Sequence, residues 1–313
     1  MAQEHPPLAI GIDMGGTSVK LGVCRGSELQ FHANPIQTEE HQGAESLLEA
    51  MTQAIFELQR AYPDIRAVGV GVPGFTDVTR GMVHQLTNVP GWKQVPLNSV
   101  LTEAVGLPCF VENDANCMAF AEFKYGAGIG STNMVGVTLG TGVGGGLIIN
   151  GQLFHGSASV AGEIGQMSID YRGKDGTYGN TGALEEYLGI REITDRAVEL
   201  YAASGNPRDQ EQCEPEKLAA AATSGDEVAR QVWDEFTTKL ACGLANCVWL
   251  LNPDAIVIGG GIAKAGNLIF DPLRRKLSAQ LHESFCTGMK IVSAKFGNEA
   301  GIIGSAAVAL ERV

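Results

Sequence analysis

The chain has 313 residues, enough for a large core and more naturally two domains than one. Hydrophobic residues make up 44% and charged residues 18%, the proportions of a soluble globular enzyme; the formal charge of −13, with no Lys/Arg run, argues against a nucleic-acid partner. No stretch of about 18 apolar residues is present to span a membrane.

The opening MAQEHPPLAIGID lacks the basic start and apolar run of a signal peptide, so the expected location is cytoplasmic. Seven cysteines (Cys24, Cys109, Cys117, Cys213, Cys242, Cys247 and Cys286) are scattered without a Cys-x-x-Cys pair. That suits reduced, buried thiols better than a disulfide framework or a zinc knuckle. The 41 glycines, about twice the usual share, are clustered, which marks tight turns or close backbone approach.

In chain order, LAIGID reads as a buried strand with VKLGVC as its hairpin partner. Leu47, Leu48, Met51, Ile55 and Leu58 recur at helical spacing and predict a helix from about Gly43 to Tyr62. AVGVGVPG is a strand ending in a Pro-Gly turn. PCFVEND is another strand, and the helix ANCMAFAEFKYG begins at once. This rhythm indicates an α/β domain. A second cycle opens at NMVGVTLGTGVGGGLIING. Laid on the first with an offset of 125, it matches Gly11 to Gly136 and Gly15 to Gly140. Coincidence is one explanation; the other is a duplicated, two-lobed molecule. A polar loop, DYRGKDGTYGNTG, then leads into helices, the buried strand DAIVIGGG and a final helix, GIIGSAAVALERV. The expected division is a small N-terminal α/β domain over residues 1–120 and a larger one over 121–299. The last helix, about 300–313, is expected to pack back on the first domain.

Three glycine-rich strand ends invite phosphate, because backbone N–H groups hold its oxygens only where side chains do not block them. They are Gly15, Gly16 and Thr17; the run Gly140, Thr141, Gly142 and onward; and Gly259, Gly260 and Gly261. No P-loop string occurs. A G-x-G-x-x-G does occur at Gly140, Gly142 and Gly145, but a β-rich segment follows it rather than a helix, so the dinucleotide reading is rejected. Asp13 beside such a turn is either a turn-forming residue or a Mg²⁺ ligand acting through water, since Mg²⁺ takes one or two carboxylates, waters and phosphate oxygens. Lys20 follows as a candidate nucleotide-side cation and, by position alone, a surface charge.

ENDAN (Glu112–Asn116) stands where a strand meets a helix, the usual place for ligands in open α/β folds. Asp114 is either a plain N-cap or the carboxylate that accepts the proton of an attacking hydroxyl in phosphoryl transfer. Glu163, framed by Gly162 and Ile164, is either a sugar ligand or a solvated loop residue.

The strings DMGGTSVKLGV, VGVGVPGFTD, NVPGW, ENDANCMAFAE, TLGTGVGGGLIINGQLFHG, AGEIGQ, GNTGALEEY and IVIGGGIA span nearly the whole chain in order. Together they resemble the ROK sugar kinases, bacterial glucokinase-like members of the actin/hexokinase/Hsp70 ATPase superfamily. The resemblance implies an α/β, two-lobed actin-like ATPase (ribonuclease H-like) fold with nucleotide and sugar in the interlobe cleft. It implies ATP and Mg²⁺ as cofactors, phosphorylation of the 6-hydroxyl of a hexose, glucose first, and a homodimer. Residue by residue, Asp13, Gly15, Gly16 and Thr17 match the first phosphate motif, Gly140, Thr141 and Gly142 the second, and Gly259, Gly260 and Gly261 the adenosine motif. Asp114 matches the catalytic base. Asn88, Asn113, Glu163 and Glu185 match sugar ligands, and Gly74 the turn lining the sugar pocket.

One departure stands out. Where family members carry a zinc-binding His and three Cys, this chain has Gln166, Gly176, Tyr178 and Ala183. No structural zinc is expected, and Gln166 takes the place of a His that touches the sugar. Fructose, N-acetylmannosamine and other hexoses or amino sugars are therefore the alternative substrates. A non-catalytic sugar-sensing regulator is the remaining alternative. Family repressors carry an N-terminal DNA-binding extension, for which the twelve residues before Asp13 leave no room.

Overall fold

The computed structural model describes residues 6–86, 89 and 91–313. Two mixed sheets form its frame. The first contains β1 (Leu8–Met14), β2 (Ser18–Arg25), β3 (Glu28–His32), β4 (Ile36–Gln37), β5 (Ile65–Val72) and, further along the chain, Cys109–Asn113. Helix α1 (Ala44–Ala61) lies between β4 and β5. A short three-stranded sheet follows, β6 (Thr76–Asp77), β7 (Met82–Gln85) and β8 (Lys93–Val95), then α2 (Leu97–Val105). Cys109–Asn113 is β9, and α3 (Asp114–Tyr125) starts at the next residue. The second sheet is built from β10 (Met134–Leu139), β11 (Val143–Ile149), β12 (Gln152–Leu153), β13 (Ala255–Gly259) and β14 (Lys290–Ser293). Between β12 and β13 run α4 (Glu185–Leu188), α5 (Ile190–Ala203), α6 (Pro215–Thr223) and α7 (Glu227–Leu251); α8 (Asn267–Ser278) and α9 (Glu283–Cys286) precede β14. Helix α10 (Ala300–Glu311) closes the chain.

The strand orders are β3-β2-β1-β5-β9 and β12-β11-β10-β13-β14. In both, a β-hairpin (β1/β2, β10/β11) is joined on its other side by a parallel strand (β5, β13). The offset of 125 found in the sequence is thus a repeat of topology: Gly11 pairs with Gly22 as Gly136 pairs with Gly146.

Helices cover the outer faces. On α1, Leu47, Met51, Ile55 and Leu58 recur every three or four residues and are buried against the first sheet with α2. The long α7 is capped by Asp226, whose side chain accepts from Ala229 N at 3.0 Å, and it ends at Asn252 in the left-handed region. With α5, α6 and α8 it covers the second sheet.

Between the sheets the chain exchanges helices. Helix α3 leaves the first sheet but packs on β10 and β11 of the second; α10 leaves the second but packs on β1 and β5 of the first, and the two helices cross. Small residues permit this. A methyl at Gly11 or Gly69 would overlap the main-chain carbonyl of Ile302 or Ser305 on α10, and one at Gly304 would overlap that of Cys117 on α3. Fully buried Glu122 anchors the crossing: Oε1 accepts from Lys295 N (2.7 Å) and Phe296 N (2.9 Å), and Oε2 from Ala127 N (2.8 Å). Among the described residues no helix is long and apolar enough to cross a membrane.

Candidate active site

Strands β1, β5 and β9 run parallel and end at one rim; β10 and β13 end opposite. A cleft of about 590 Å³ lies between these carboxyl ends. From the first side it is lined by Asp13, Gly15, Gly16, Gly74, Asn113 and Asp114, and from the second by Gly140, Thr141, Gly142, Glu163, Gln166, Glu185 and Gly260. Residues far apart in sequence therefore meet where open α/β sheets hold ligands.

The residue that caps α3 is Asn113, which leaves Asp114 for other work. Asn113 Oδ1 accepts from Ala115 N (2.9 Å) and Asn116 N (3.1 Å), and its Nδ2 donates to Gly74 O at 3.3 Å. Asp114, at the first helical position, accepts from Ala115 N at 2.8 Å. Burial pushes its carboxyl up to about 6, with Asp13 and Glu163 adding like-charge repulsion. Asp13 is likewise raised by burial, against the opposing pull of Lys20, and Glu163 by burial and then by Glu185. Of the four carboxylates that line the cleft, Asp13, Asp114 and Glu163 are thus raised by burial, a cost that a cation would relieve.

The glycine turns differ in kind. Gly15 N donates to Ser18 O at 2.9 Å and closes the first turn; Gly140 N donates to Gly142 O at 3.0 Å and closes the second. Glu185 braces the second turn, with Oε2 accepting from Val143 N at 2.9 Å and Oε1 from Gln166 Nε2 at 3.3 Å. At Gly260 φ is +90° and a methyl would overlap the backbone of Leu139, so glycine alone fits. Gly261 turns away from the cleft to line an adjoining cavity of about 560 Å³ with Ile190, Pro215, Ala219 and Lys264.

Besides Gly261, three candidates fall outside the cleft lining. Thr17 sits exposed at the tip of its turn, and Gly259 is buried within β13. Lys20 stands on β2 directly opposite Asp13, on the same face of the sheet, and acts on that carboxylate across the hairpin. Asn88 lies outside the described residues.

Sequence reasoning missed an aromatic pair at the cleft. Phe75, after the Pro-Gly turn, and Tyr178, in the 170–182 loop, bring their rings to 5.5 Å from opposite sides. An aromatic residue in an otherwise glycine-rich, polar loop was the available signal. That loop is held by hydrogen bonds: Gly176 N to Asn180 O (2.7 Å), Gly182 N to Lys174 O (2.7 Å), Ile169 N to Gly182 O (2.8 Å) and Asn180 Nδ2 to Gln166 O (2.9 Å). The side chains at 166, 176, 178 and 183 supply neither thiol nor imidazole, so they do not fit zinc.

Two hairpin-led sheets that exchange helices, with glycine turns and carboxylates at the facing strand ends, define a two-lobed protein of the actin-like ATPase fold. Within that class the chain belongs to the ROK family, whose model matches residues 9–312. It is similar to the glucokinase of Thermotoga maritima, with 32% identity covering 97% of this chain and 98% of that one. It is also similar to the glucokinase of Streptomyces coelicolor, with 34% identity over 97% and 98%. Among solved structures it resembles a ROK family glucokinase from Streptomyces griseus in complex with glucose and AMPPNP. That likeness has a TM-score of 0.81 and 30% identity, covering 97% of this chain and 99% of that one.

Proposed function

We propose that this protein is an ATP-dependent hexose kinase that phosphorylates the 6-hydroxyl of its sugar, with glucose as the preferred substrate. The observation that carries this reading is Asp114: a carboxylate in the cleft, not spent as a cap, and raised to about 6 so that it is ionised yet basic near neutral pH. The sugar hydroxyl gives its proton to Asp114 as its oxygen attacks the γ-phosphorus; the bond from that phosphorus to the bridging oxygen breaks and ADP leaves. Asn113 and Glu163 bind sugar hydroxyls, Glu185 and Gln166 border the same pocket, and Gly74 shapes its wall. The turns at Gly15–Gly16 and Gly140–Gly142 cradle phosphates, and the cavity beyond Gly260 and Gly261 takes the adenosine.

Asp13 fits Mg²⁺ arriving with the nucleotide, because the crowding of Asp13 and Asp114 favours a cation and Mg²⁺ needs only one or two carboxylates beside phosphate. When bound, the ion neutralises charge on the phosphates. The two lobes, the first sheet with α10 and the second sheet with α3, close to keep water from competing as acceptor.

Gln166, where the family resemblance implies a ligand His, favours a second reading in which fructose, N-acetylmannosamine or another amino sugar is preferred. A coupled ADP-release assay over hexoses and amino sugars separates the two. The account expects sugar-dependent ADP release with the highest kcat/KM for glucose; no sugar-dependent release would refute the kinase reading and favour a sugar-sensing regulator.

A further inference from the structure

We propose that Glu112 is a positioning residue, the joint that aligns Asp114 and ties its turn to the second lobe; this rests on the kinase reading above. Glu112 is fully buried at the end of β9. Its Oε1 accepts from Asn113 N at 3.0 Å and Asn116 Nδ2 at 2.9 Å, so both residues flanking Asp114 and Ala115 are held by one oxygen. Its Oε2 accepts from His155 Nε2 at 2.8 Å and Arg312 NH2 at 3.1 Å. His155 belongs to the segment after β12 that leads to Glu163, and Ala161 N donates to its carbonyl at 3.0 Å. Arg312 follows α10. One carboxylate therefore joins the catalytic turn, the Glu163 segment and the end of the crossing helix.

Stability alone is a poor reason for this arrangement. A buried ion pair often contributes no more than well-packed apolar side chains of the same volume. What the cluster supplies is direction. Glu112 holds the Asn113 main chain, Asn113 caps α3 and reaches the Gly74 carbonyl, and Asp114 is aimed by the residues on either side. A shift of the second lobe acts on that turn through His155.

The test is Glu112→Gln. The amide keeps an oxygen for Asn113 and Asn116 but turns an NH₂ toward Arg312, where two donors face each other. The expected result is a kcat lower by about 10- to 100-fold, the range for a misplaced catalytic group. KM for sugar and ATP should stay within about threefold, and hydrogen exchange should rise at the 113–116 amides while the two outer cores stay protected. Arg312→Gln is expected to reproduce the pattern in milder form, with Arg312→Lys restoring part of kcat, and it carries the test if Glu112→Gln does not fold. Wild-type kcat in these variants, or exchange that rises equally throughout both cores, would overturn the proposal. Exchange is read without substrate, so a wild-type protein that transfers no phosphoryl group would sink the kinase reading and leave this result standing.

Discussion

Asp114 sets two expectations at the residue scale. First, in the proposed reaction the ionised form is the base, so kcat/KM for the sugar is expected to fall as pH drops through about 6, the value to which burial raises this carboxyl. A pH-rate profile flat down to pH 4.5 would contradict it. Second, a raised carboxyl means that the folded state holds the proton more tightly than the unfolded chain does. Ionised Asp114 therefore costs stability above about pH 6, and the cost vanishes below the ordinary carboxylate value of 3.8, where both states are protonated. Asp114→Asn keeps an oxygen for Ala115 N. It is expected to lower kcat by about 100-fold or more while raising Tm at pH 8, with the gain in Tm fading toward pH 4. Thermal unfolding at the two pH values checks the sign. The sequence showed Asp114 as a candidate but left it between base and cap. That choice turns on the neighbouring Asn113 side chain, whose rotamer no residue pattern reveals.

At the scale of elements, the glycines carry a different lesson. Gly11 and Gly136 were legible as matched positions of two hairpins, yet their purpose was not, because a glycine in a strand does not announce which helix will lie on it. Gly11 faces the Ile302 carbonyl of α10, and Gly136 faces Ala119 of α3. The crossing itself rests on Gly304 against Cys117. Gly304→Ala drives a methyl into the Cys117 main chain and is expected to destabilise the fold by at least about 1–3 kcal/mol, the usual cost of overpacking. A urea midpoint equal to wild type would refute that. The 170–182 loop offers a second test. Hydrogen bonds tie it together and positions 166, 176, 178 and 183 offer neither thiol nor imidazole, so a strong chelator is expected to leave Tm unchanged, and stoichiometric zinc surviving that treatment would contradict the account. The short sheet β6–β8 escaped the sequence because two- to four-residue strands carry too little alternation to register.

For the whole molecule, two halves could be read from the repeated hairpins, and the glycine-rich strand ends marked one face of each. The exchange of α3 and α10 between the sheets could not be read, because it is a long-range choice settled by packing of small residues on both sides. That exchange brings β1, β9, β10 and β13 to a common cleft, where Asp13, Asp114 and Glu163 meet glycine turns from both halves. The central claim is that this cleft orders phosphate, sugar and base in line. Its most direct test is a crystal structure with glucose, Mg²⁺ and a non-hydrolysable ATP analogue. The account predicts the glucose 6-hydroxyl within hydrogen-bond reach of Asp114, about 2.6–3.2 Å, and the phosphates against Gly15–Gly16 and Gly140–Gly142. A sugar bound with that hydroxyl turned away from Asp114, or phosphates seated elsewhere, would contradict it.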